Sequence, residues 1–233
     1  MLILLAHTAL ALDIAAYTGV LQRHVDAQGR VDYAALHEDT ELDTLTDGLA
    51  AATEPADPKA RMAFWINAYN ALTLDLIADN FPLGSIRELD GGDPWSARMF
   101  TVAGQPVTLN HIEHQILRPM GDARVHAALN CASRGCPPLP LKPLTGDELD
   151  AQLNDAAQRW VATNAISVSV EDNAVQLSKI FDWYGEDFVR GEETKEQAAV
   201  RFATTYLPEH ADFLTAGSYT TSYMSYDWGL NSQ

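Results

Sequence analysis

The sequence predicts an α+β fold: a single domain, mainly helical, with a small mixed or antiparallel sheet. Residues 12–52 have helical apolar spacing, as in Leu42, Leu45 and Leu49, and a long helix is expected over about 60–80. Two stretches carry strand signals, residues 124–131 and the 166–177 hairpin. Strands and helices do not alternate regularly along the chain, which favours α+β over a parallel α/β layout.

Residues 12–52 read as helical, and Glu54-Pro55-Ala56-Asp57-Pro58 as a turn. A long helix is expected from about Ala60 to Asn80, stopped by Pro82. A loop-rich stretch with a hairpin around Gly104 follows, then a helix from Asn110 that ends before Pro119. Residues 124–131 alternate as a strand, and Gly135-Cys136-Pro137-Pro138 ends it. Thr145 and Glu148 have the spacing of a capping box, opening a helix to about Thr163. Ile166–Val170 and Ala174–Leu177 flank Glu171-Asp172-Asn173 as a hairpin, and two further helices are expected through Phe181–Phe188 and near Glu193–Tyr206.

The 233 residues hold 47% apolar and 20% charged residues, ample for one core and far from a disordered composition. With 15 Lys and Arg against 32 Asp and Glu, the formal charge of −17 argues against nucleic acid and anionic membrane surfaces as partners. No apolar run has the roughly 18 residues of a membrane span. Residues 1–11 end in Ala9-Leu10-Ala11, like the cleavage end of a signal peptide, though without a preceding Lys or Arg. The expected division is a signal-peptide remnant at 1–11 and one domain at 12–233. The expected location is periplasmic or secreted, or cytoplasmic if that run is not a signal.

Three segments carry groups capable of chemistry. The helix around Phe64–Leu72 is apolar almost all round and therefore buried, with Asn67 and Asn70 three residues apart on one face. Buried amides need defined partners, so these either pin loops or orient a catalytic group. On the next helix, His114 shares a stripe with His111 and Arg118, while Glu113 has the spacing to cap Asn110. His-x-x-His without the fuller His-Glu-x-x-His spacing is a weak zinc signal, and no metal is expected. In the third segment, a strand would put Cys131 on one face and His126 on the other. Cys131 and Cys136 are too few for a four-cysteine zinc site; in an oxidising compartment they could pair, closing a small loop.

Phe64–Leu72, Ile112–Arg118, Ala128–Ser133 with Cys136-Pro137-Pro138, Ser178–Tyr184 with Asp187-Phe188, and Tyr226–Asn231 together resemble the domain of unknown function 547 family. Gly29–Tyr33 fits its opening segment. The resemblance implies no established activity. It implies export for many bacterial relatives, retention of Glu113, His114 and Cys131, and tolerance of serine at the position of Cys136.

The leading expectation is a thiol-dependent hydrolase or acyltransferase of the cell envelope. Cys131 is its nucleophile and His114 its base, with Glu113, Asn67 or Asn70 orienting the imidazole. The alternative is a non-catalytic envelope domain that binds a peptide, glycan or small molecule. In that setting Asn67, Asn70, His114 and Arg118 are recognition groups in a pocket, and His126 and Lys179 are further candidate ligand-binding residues. A thiol redox role for Cys131 and Cys136 and a metal site are lesser readings. No phosphate loop or dinucleotide fingerprint is present, so no nucleotide cofactor is expected.

Overall fold

A computed structural model describes residues 12–233. The apolar run at 1–11, and the export signal expected there, lie outside the described residues. Three helices come first: α1 (Ile14–His24), α2 (Tyr33–Leu36) and α3 (Thr40–Leu49), each opened by an aspartate whose carboxylate accepts a backbone N–H. Residues 12–52 are thus three helices, parted by a turn that an isolated bridge between Val25 and Val31 closes.

The long helix α4 (Pro58–Asp79) is capped by Asp57 and has Pro58 in its first turn, where a missing N–H costs nothing. Every residue from Met62 to Leu74 is buried, so α4 is a central post rather than an amphipathic surface helix. Trp65 lies fully inside, and its indole N–H is satisfied by the Glu54 carboxylate at 2.6 Å. After a short helix α5 (Pro94–Ala97), β1 (Phe100–Val102) and β2 (Gln105–Val107) form the hairpin expected at Gly104. Its two-residue turn puts Ala103 and Gly104 at φ of 50° and 71°, as a primed turn requires.

Helix α6 (Leu109–His111) is capped by Thr108 and widens into a π-helical stretch, Ile112–Leu117. Glu113 is therefore no cap. The expected strand at 124–131 is absent. Val125–Ala128 forms a helical turn, α7, closed by the Leu129 N–H donating to the Val125 carbonyl. Val125 through Asn130 are all buried, and on a segment wet on neither side alternation cannot distinguish a strand from a helix.

Helix α8 (Leu149–Trp160) follows, without the Thr145–Glu148 capping box; the Thr145 N–H instead meets the Gln152 side chain at 2.8 Å. The hairpin of β3 (Ile166–Ser169) and β4 (Ala174–Leu177) forms as expected. Then come α9 (Lys179–Tyr184), α10 (Lys195–Thr204), α11 (Ala211–Ala216) and β5 (Thr220–Tyr223). Strand β5 joins β4 in parallel, making a mixed three-stranded sheet. The architecture is one α+β domain, mainly helical. Trp160, Phe181, Phe188 and Phe202 interlock in its second half, with Trp160 stacked on Phe181 at 4.8 Å.

The last residues return to the start of the chain. Val31 donates to the Asn231 carbonyl and accepts from Gln233, while Arg134 and Gly135 donate to the carbonyls of Gly229 and Asp227.

Candidate functional site

Two asparagines on α4 hold the loops that build the site. Asn67 exchanges two hydrogen bonds of 2.8 Å with the backbone of Leu144. Asn70 donates to the Ala128 carbonyl at 2.8 Å and accepts from the Asn130 N–H at 2.9 Å. Asn130 in turn donates to the Pro137 carbonyl and accepts from the Ala132 N–H, both at 2.8 Å. These bonds hold Ala132 at φ 61°, a left-handed conformation costing an alanine about 1–2 kcal/mol. The loop thereby turns back on itself and brings Cys131 to Cys136.

The two cysteines form a disulfide, with Cα atoms 6.2 Å apart. The Cys131 N–H donates to Sγ of Cys136 at 2.9 Å. The Tyr226 hydroxyl lies 3.1 Å from each sulfur, and the Ser133 hydroxyl 3.0 Å from that of Cys131. Gly135 makes this possible: a Cβ there would lie 2.7 Å from the Tyr226 ring. Cys136 is buried and Cys131 only partly so.

This arrangement differs from the expected Cys131–His114 pair. In the oxidised form Cys131 has no free thiolate, and its sulfur's polar neighbours are hydroxyls. His114 instead meets Arg118, whose Nη1 donates to His114 Nδ1 at 2.7 Å. A guanidinium can only donate, so that imidazole lone pair is already used. Arg118 also grips Asp187 with two bonds, of 2.6 and 2.9 Å. His126, buried and stacked on Tyr184 at 4.5 Å, meets the same carboxylate at 2.7 Å. Burial alone would raise the Asp187 pKa, but hydrogen bonds from His126 and Arg118 outweigh it and hold the carboxyl well below its usual range.

The disulfide forms part of the wall of a cavity of about 320 Å³. Buried Glu113 lines it, accepting from the Tyr69 hydroxyl at 3.4 Å. Burial, and then the Glu113 charge, raise the pKa of Tyr69 and Tyr184, so they remain phenols able to donate. Trp95, Trp183, Tyr226 and Trp228 line it as well. Trp183 stacks on Trp228 at 5.8 Å, and Tyr226 lies 4.5 Å from Trp228. Trp183 is 45% exposed. Asp93 adds a second carboxylate, and none of the lining residues is Lys or Arg.

The motifs within 64–72, 112–118 and 128–138 fall in a stretch that matches a known family, while those at 29–33, 178–188 and 226–231 lie outside the match. Residues 54–161 match the family described as protein of unknown function, DUF547. No curated protein and no solved structure matches the chain. The DUF547 segment supplies both α4 asparagines, Glu113, His114, His126 and the disulfide. Trp183, Tyr184, Tyr226 and Trp228 come from beyond it.

Of the residues singled out in the sequence, Glu113, His126 and Cys131 line the cavity. His126 does so because α7 is helical; the strand argument that set it apart from Cys131 fails. Asn67 and Asn70 act from behind as loop pins. His114 and Arg118 are not among the lining residues, and Lys179 pairs with Asp182 at 2.8 Å beneath Tyr223. Sequence reasoning missed Asp187, Tyr69 and the rings of Trp95, Trp183, Tyr226 and Trp228. All of these but Trp95 stand in the segments that resemble the family, but nothing local marked them as parts of one site with Cys131.

Proposed function

We propose that this protein is a binding domain for a compact organic cation, taken up in the aromatic cavity beside Glu113. This is the small-molecule form of the binding reading. One observation carries it: six aromatic rings and two carboxylates line the cavity and no lining residue is Lys or Arg, while the Arg87 and Arg118 guanidiniums already lie over the rings of Trp228 and Tyr184. Aromatic faces attract cations, and the attraction grows as the site is desolvated. Buried Glu113 supplies a charge that a bound ammonium would offset. The net charge of −17 draws cations towards the surface and repels anions.

The hydrolase reading requires a reduced Cys131 and a base other than His114, so the oxidised site gives it less support. A disulfide persists in an oxidising compartment, which supports the exported placement.

Calorimetry with tetramethylammonium and its neutral counterpart tert-butanol tests the binding reading. Tetramethylammonium should bind at least tenfold more tightly, and Glu113→Gln should remove most of that preference. Equal affinities in the parent, or no binding of either, would overturn it.

A further inference from the structure

We propose that the Cys131–Cys136 disulfide exchanges with a small aminothiol that enters the cavity ammonium-first; this rests on the cation-binding reading above and names its substrate class. Three features place the chemistry. The disulfide is part of the cavity wall, so a ligand held there lies beside a reducible bond. The two sulfurs are unequal: Cys131 is the more open to attack, and Cys136 is buried. The buried sulfur is also the better prepared to leave. The Cys131 N–H already points at it at 2.9 Å; the Tyr226 hydroxyl, 3.1 Å from both sulfurs, does not distinguish them but is in reach of the one that leaves. Both can donate to the thiolate that forms there.

The step balances as follows. The aminothiol's thiolate bonds to Sγ of Cys131, and the Cys131–Cys136 bond breaks with its electron pair passing to Cys136. Cys136 leaves as a thiolate and takes a proton from solvent. A second aminothiol attacks the ligand sulfur of the mixed disulfide, releasing Cys131. Two aminothiols are thereby oxidised to their symmetrical disulfide, and one protein disulfide is reduced. The same steps in reverse let a cationic disulfide reoxidise the protein.

Charge selects the thiol. A purely anionic thiolate approaches Glu113 and Asp93 against their field, whereas an aminothiol brings an ammonium for the carboxylates and rings while its sulfur reaches Cys131.

The oxidised protein is treated with 2-aminoethanethiol, 2-mercaptoethanol or mercaptoacetate at matched thiolate concentration, quenched with iodoacetamide and mapped by mass spectrometry. The aminothiol should react at least tenfold faster than mercaptoethanol, and mercaptoacetate slowest. The early product should carry the thiol on Cys131 and carbamidomethyl on Cys136. Glu113→Gln should keep exchange but lose the charge ranking. Trp183→Ala, at an exposed ring, should weaken the ranking and serves if the first variant fails to fold. Equal rates for the three thiols, no exchange with any, or the adduct on Cys136 would each overturn the proposal. Tetramethylammonium binding, measured on the same samples, shows whether the cation-binding reading falls with it.

Discussion

Asn70 and Asn130 are joined side chain to backbone: the Asn70 Oδ1 accepts the Asn130 N–H at 2.9 Å, one residue before Cys131. The same amide holds the Ala128 carbonyl, so one α4 side chain fixes both ends of the turn leading to the disulfide. Truncation would leave a buried N–H and a buried carbonyl without partners. Asn70→Ala should therefore lower unfolding free energy by about 2–4 kcal/mol in urea titrations. A change below about 0.5 kcal/mol, as at ordinary surface positions, would remove this pin from the account of the site.

The disulfide closes a short loop, so its contribution to stability is modest. Cys136→Ser should cost about 2 kcal/mol by the chain-entropy relation for a loop of this size. The oxidised parent should take up no iodoacetamide in native buffer, and two equivalents after reduction. The variant should take up one, at Cys131. Reactivity of both cysteines in the untreated parent would contradict the pairing.

Asp75 predicts a pH effect away from the cavity. Burial, and then the charge of Asp79 with smaller effects from Asp43 and Asp47, raise its pKa to about 7, while Thr46 holds it down in part. The unfolded chain ionises Asp75 near the ordinary value of about 3.9. Below that pH both states are protonated and there is no penalty. Between pH 4 and 7 the unfolded state ionises first, so stability falls as pH rises, and above pH 7 the deficit is constant. Asp75→Asn should gain about 2 kcal/mol at pH 8, and the gain should vanish near pH 4. An equal gain at both pH values in urea titrations would rule out ionisation as its cause.

Asp187 predicts the opposite slope. Its folded pKa is lowered, so its stabilisation is present above the usual carboxylate range and is lost as pH falls through the folded value. Asp187→Asn should destabilise most at pH 6 and least near pH 2. His126→Ala should cost more than His114→Ala, because His126 is buried against Tyr184 and Phe188. Urea midpoints across pH 2–6 check both statements, and a larger loss on changing His114 would contradict the second.

Much of the fold was legible because it follows local rules. The all-apolar run around Trp65 fixed α4, and Pro82 its end. Asp172-Asn173 and Ala103-Gly104 marked their turns. The segment at 125–128 misled because it is buried on every side, which erases the pattern. Of the site, Cys131 and Glu113 were legible as chemistry-bearing types on unusual local sequence. The partners were not. Tyr226 reaches the sulfurs across some ninety residues of chain, and only the clearance over Gly135 permits it. Asp187 draws Arg118 and His126 together across 69 and 61 residues of chain, in place of the pairing of His114 with Cys131 that the sequence suggested.

The return of residues 226–233 across Val31, Ala132 and Gly135 sets the order in which the working site is made. The sulfurs, the α4 asparagines and Glu113 are all synthesised well before Tyr226 and Trp228 emerge. Contacts of such long sequence separation form late, because their loop-closure entropy must be met before they add stability. Until then the two cysteines lack their tyrosine cover and can meet oxidants or foreign thiols directly. The Cys131–Cys136 bond can therefore form on an open loop, before Tyr226 comes to lie against the two sulfurs.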